Sequence, residues 1–421
     1  MTTDFLFALN ANIQHLDVTV RDYLPEGAYR TLYQWALFED NSHQDVWLQV
    51  IGLTQLVKMT SLLLGGLVKD DDWGQLIEDS LLMNGYQIYE IVSDNLAIGI
   101  TDHRASQIRE SLLIFNHSML ARLQYDVIVP TDVFMEAMGG ISIFAQSLSP
   151  HRHISIAETF LAKHPSLTIY DIEYNLPALL IANIETCYNL YRACDTLVGG
   201  RLVQDGLVAR YHAMNQLIFC PDMPYEERLL MSADAILVVP TLAYYIAVIA
   251  EHIYKLPNFA LIANDKPLAN VLNDAAMIVR LLNDLGASVN QSPQSRECMM
   301  QSFAEMGKNG VETLHDCIMQ SDMGSKITRL QKDATHGEFN LALHQLEYEA
   351  PTPEVLGEFS ERLAFLAQTY KVTYIRMEKG LIEVEKQLGH SLVSSLIRRF
   401  VQFHVQLYSH DYKGEMGEYA I

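Results

Sequence analysis

Apolar residues recur at helical spacing along most of this chain, and alternating strand-type runs of Val, Ile and Thr are scarce. The spacing predicts helices over roughly 45–68, 76–98, 105–125, 132–148, 154–163 and 172–198. It predicts further helices over roughly 225–254, 267–288, 296–319, 325–347, 353–387 and 391–408. Pro130-Thr131-Asp132 reads as a loop and N-cap, Pro224 suits a first helical turn, and Pro257, Pro293, Pro351 and Pro353 mark breaks. No repeat of fixed period is visible. The expectation is an all-α protein of about a dozen helices, too many for a four-helix bundle.

Composition narrows this picture. A chain of 421 residues, 49% of them hydrophobic, can bury one large core. Gly/Ser-rich linkers are absent, so a single all-α domain over 1–421 is expected. The longest apolar run, Ala235 to Ala250, contains Pro240 and is short for a bilayer span. It reads as a buried, kinked core helix, and no transmembrane segment is expected. The net charge of −22 argues against nucleic acid as a partner. An anionic small substrate would need local Arg, Lys or divalent cations. Five cysteines without a CxxC pair, and an N-terminus without a basic leader, fit a cytoplasmic, reducing location.

Chemistry concentrates in two separated segments. Arg280-Leu281-Leu282-Asn283-Asp284-Leu285 ends an apolar helix in metal-capable side chains. Some forty residues on comes Lys332-Asp333-Ala334-Thr335-His336-Gly337-Glu338-Phe339-Asn340. Together they resemble the second metal motif of class I terpene synthases, Asn/Asp-Asp-x-x-Ser/Thr-x-x-x-Glu, with Lys before the Glu and a Gly-Glu-x-x-Asn segment after it. In direct continuation Ala287 stands at the Ser position and Gln291 at the Glu position, with Ser288 one place late. The resemblance therefore implies a helical insertion at about 289–329, with Asn283 and Asp333 brought together by tertiary structure.

The family's first motif is Asp-rich, and two segments compete for it. Asp70-Asp71-Asp72 is one; Asp94, on the apolar-aromatic helix containing Tyr89-Glu90, is the other. Pro224-Tyr225-Glu226-Glu227-Arg228 resembles the family segment whose arginine senses diphosphate, which makes Arg228 the candidate. Pro240 is expected to break the next helix. Tyr412 matches the tyrosine of the family's C-terminal Arg-Tyr, but Asp411 replaces the arginine, leaving Lys413 as a substitute donor.

The resemblance implies the large helical bundle of the class I terpenoid synthases and a lyase or transferase that binds Mg²⁺. Its substrate would be geranyl, farnesyl or geranylgeranyl diphosphate. Asp94, Asn283, Asp284 and Asp333 would hold metal; Arg228, Arg280, Lys332 and Lys413 would hold diphosphate; Arg228 and Tyr412 would assist ionisation. The cation could cyclise to a terpene. It could also be captured by a small acceptor such as an amino-acid nitrogen, as in algal kainoid N-prenyltransferases, which share the fold. A non-catalytic helical scaffold is the reading from a different class. HExxH, Walker A and GxSxG patterns are missing.

Overall fold

The computed structural model describes residues 2–38, 42–97, 105–128, 130–138, 150–174, 177–220, 222–263 and 266–409. Among them the ordered elements are helices, with no strand. In chain order they are α1 Thr2–Tyr23, α2 Ala28–Leu37, α3 Gln44–Val50, α4 Leu53–Leu64, α5 Trp73–Ala97, α6 Ala105–Tyr125 and α7 Thr131–Ala137. Next come α8 Pro150–Lys163, α9 Ile169–Tyr174, α10 Ala178–Ala193, α11 Gly200–Phe219, α12 Tyr225–Ala235, α13 Val238–Val248 and α14 Phe259–Ala263. The last are α15 Lys266–Gln291, α16 Pro293–Lys308, α17 Leu314–Gln320, α18 Thr328–His336, α19 Pro353–Leu388 and α20 Leu392–Leu407.

Capping chemistry sets several ends. Ser292 accepts from Ser295 N at 3.1 Å at the start of α16, and Thr352 accepts from Val355 N at 3.3 Å at the start of α19. Both helices place proline just inside, where its missing N–H loses nothing. The helix expected over 325–347 stops early, because α18 closes on Gly337 in the left-handed region (φ 63°). Residues 341–348, expected as a continuing apolar helix, instead form turns.

The apolar run before Ala250 is buried and bent, as its composition suggested. Helices α12 and α13 meet at 42°, with the break at Ile236–Leu237 rather than at Pro240, which sits in the first turn of α13. The freed carbonyl of Ala235 accepts from Arg210, whose guanidinium also pairs with Glu90. No single helix among the described residues is long and apolar enough to cross a membrane.

Two apolar clusters share their walls. Leu76, Met83 and Tyr86 of α5 enter one, while Ile77, Ile88 and Tyr89 of the same helix enter the other. Helix α15 runs through the larger cluster, packed by α12, α13, α18, α19 and α20. Its Asp274 is pinned by Arg376 of α19, with Nε at 2.9 Å. The segment expected as an insertion holds α16 and α17. The first packs on α19 and the second on α18, which returns the chain to the end of α15.

Candidate functional site

The site begins where α15 breaks. Gly286 has φ 74° and ψ 166°, a conformation open essentially to glycine alone. A Cβ there would meet Tyr408 O at 3.3 Å, and the next amide, Ala287 N, donates to that same oxygen at 3.2 Å. Asn290 fills the gap in the ladder by donating to Leu281 O and Gly286 O at 2.8 and 2.9 Å. Gly286→Ala is therefore expected to destabilise the fold by about 1–3 kcal/mol, read by chemical denaturation.

The turn before this break carries the motif residues. Arg280 and Asp284 share one helix face at i, i+4, and Nη2 lies 2.5 Å from Oδ1. The other Asp284 oxygen accepts from Leu341 N at 2.9 Å. Asp284 is wholly buried, so both bonds offset its desolvation. Arg280 also donates to Phe339 O at 3.2 Å.

Arg329, on the first turn of α18, joins the two motif segments. Its Nε donates to Asn283 O at 2.6 Å and its Nη2 to Asn283 Oδ1 at 2.7 Å. The same Nη2 lies 3.4 Å from Asp333 Oδ1, one turn along. The guanidinium also lies 5.0 Å from the Tyr408 ring. Asn340 Nδ2 completes the link, donating to Asp333 Oδ2 at 2.7 Å and to Asp284 O at 2.8 Å. Burial pushes the Asp333 carboxyl up to about 7; Arg329 opposes this, Glu338 and Asp284 reinforce it, and the Asn340 bond opposes it.

Other expected residues gather here too. Arg228 is buried, donates to Cys220 O at 3.1 Å, and lies 5.9 Å from the Phe339 ring. Arg280 lies 5.6 Å from that ring. Lys332 Nζ is 3.9 Å from Glu338. Tyr225, one helical turn before Arg228, donates to Leu341 O at 3.2 Å. Thus Arg228, Arg280, Asp284, Lys332 and Asp333, from three helices, meet the segment 338–341, and Asn283 joins them through Arg329.

The remaining expectations either fall outside the described residues or sit elsewhere. Asp94 lies in the last turns of α5, but its side chain falls outside the described residues, as do Tyr412 and Lys413. One turn earlier, buried Glu90 pairs with Arg210 and accepts from Tyr211 at 3.0 Å and Asn183 at 3.2 Å. The Asp70–Asp72 cluster forms an exposed turn at the start of α5. Gln291 donates to Tyr370, Ser288 meets Ser295, and Ser292 caps α16, so none of the three faces Asp333. The residues that sequence reasoning passed over are Arg329 and the Glu90–Arg210 pair. For Arg329 the one available signal was its i, i+4 spacing to Asp333.

Asn283, Asp284 and Asp333 offer hard oxygens of the kind Mg²⁺ takes. Their arrangement does not fit that ion. Each of the five side-chain oxygens already faces a protein donor, and a guanidinium nitrogen stands between Asn283 and Asp333. Among the described residues, no three His, Cys, Asp or Glu side chains gather as a metal would require. An open depression of about 380 Å³ beside Ser292, Ser295, Cys298 and Lys326 is not lined by this cluster. What the cluster can do as arranged is hold three cationic guanidinium groups near one turn, partly neutralised by carboxylates. Comparison with protein-family models, with characterised proteins and with solved structures gave no match to this chain.

Proposed function

We propose that this chain binds an isoprenyl diphosphate at the 338–341 turn and releases diphosphate from it. The observation that supports the reading is the gathering of Arg228, Arg280 and Asp333, from helices far apart in sequence, at that turn, with Asn283 tied to Asp333 through Arg329. In the reaction the allylic C–O bond breaks and its electron pair stays on the diphosphate oxygen. Arg228, Arg280 and Lys332 would donate to that oxygen as charge builds on it. The apolar residues of α13 and α15 keep water from the cation. Loss of a proton after cyclisation gives a terpene; capture by a nitrogen that then loses its proton gives a prenylated acceptor. Divalent metal, implied by the family resemblance, enters no step here.

A second reading, a non-catalytic helical scaffold, draws on a specific observation. The motif oxygens are satisfied within the protein, so the cluster already works as a structural junction.

Incubation with geranyl, farnesyl and geranylgeranyl diphosphate, with Mg²⁺ or with EDTA and with or without amino acids, separates the two. Inorganic diphosphate released from at least one substrate supports the enzyme. No release under any condition leaves the scaffold.

A further inference from the structure

Helix α19 carries an unusual outer face. Its inner face buries Phe359, Leu363, Leu366, Tyr370, Met377, Leu381 and Val384. Directly opposite, Phe365, Val372, Ile375 and Ile382 are 42%, 47%, 47% and 62% exposed. Their spacing of seven, three and seven residues is that of a coiled-coil seam, with exposed Gln368 and Lys379 completing the a/d positions. An apolar stripe along a 36-residue helix marks an interaction surface.

Charge identifies the occupant. With a second copy laid antiparallel about a two-fold axis, Phe365 faces the partner copy's Ile382 and Val372 faces its Ile375. Gln368 then meets Lys379, polar against polar, and Glu361 meets Lys386. Along one flank Lys371 comes opposite Glu378. Within the chain Glu378 also accepts from Arg398. A parallel pair would instead oppose Lys371 with Arg376 and Glu378 with Glu383, and stack Lys379 on Lys379 and Glu361 on Glu361. Like charges so opposed are repulsive, so the pattern selects the antiparallel pair.

We infer that the outer face of α19 is a self-complementary dimer interface, closed by a two-fold axis between two antiparallel copies of this helix. The inference is independent of the proposed function.

Sedimentation equilibrium of the full chain near physiological salt tests it. The expected species has twice the 47.7 kDa chain mass. Val372→Glu with Ile375→Glu should give a monomer of unchanged helix content, because both side chains are exposed. Glu361→Lys should weaken the dimer by about tenfold or more, and adding Lys386→Glu should restore it. A wild-type monomer at every concentration overturns the inference. So does a dimer that survives Val372→Glu with Ile375→Glu, or a charge swap that restores nothing.

Discussion

Asp284→Ala is expected to lower the unfolding free energy by about 3–5 kcal/mol, the range for breaking one side of a buried ion pair. The carboxylate is fully buried, and it faces Arg280 Nη2 at 2.5 Å and Leu341 N at 2.9 Å. Removing it strands a guanidinium and an amide in a volume that water does not reach. Asp284→Asn keeps an acceptor for Leu341 N but drops the charge, so its loss should be smaller. Urea unfolding of the two variants beside the wild type measures both. Since small domains are stable by only about 5–15 kcal/mol, the alanine variant should sit near its folding limit. A loss below about 1 kcal/mol in Asp284→Ala would mean that the bonds at the end of α15 carry little.

Arg329→Met has a comparable expected loss, about 3–5 kcal/mol, and a pH signature that sets it apart. The guanidinium serves Asn283 O, Asn283 Oδ1 and Asp333 at once. Asp333 has its pKa raised in the folded state, by burial above all. A carboxyl raised in this way contributes stability that is fully present below its unfolded pKa, near 4, and is lost as pH rises through about 7. Without Arg329 only the Asn340 bond offsets the ionised form, so the variant should lose more stability at pH 8 than at pH 5. Arg329→Met combined with Asp333→Asn should recover part of the loss and flatten the pH dependence, because the two side chains act as one unit. Equal losses at both pH values, or additive effects, would show that the two do not act together.

Periodicity was a good guide to the long helices whose buried face is apolar. The expected 105–125 helix matches α6 end to end, and the expected 353–387 helix differs from α19 by one residue. Four helices were passed over, α1, α2, α11 and α14, and two of them share a reason. The buried face of α11 holds Gly206, Arg210 and Asn215, and that of α1 holds Ala8, Asn12 and Thr19, which blunt a hydrophobic pattern. Other expected helices ran too far. The one over 45–68 is two helices bent by 69°, and that over 172–198 is likewise divided, with α9 and α10 on either side of Pro177.

The site was legible in part. Arg280, Asn283, Asp284, Lys332 and Asp333 could be named from spacing and residue type, and the gap between the halves implied that the fold must close it. How it closes could not be read. Arg329 reaches Asn283 from 46 positions away, and no local pattern marks a guanidinium as the bridge. The same bridge changes the chemistry, since it stands where the motif alone suggested a divalent cation. The buried Glu90–Arg210 pair was hidden for the same reason, its partners lying 120 positions apart.

Diphosphate release by wild type and Asn283→Ala, side by side, is the most direct test of the claim that the two motif segments form one working site. Asn283 is where the segments meet, and its side chain is only partly buried, so the variant should keep its helix content. Release by the wild type, and a loss of about 10²-fold or more in a folded Asn283→Ala, is the result this account predicts. Equal release by both proteins, or none from the wild type with any of the three substrates, would contradict it.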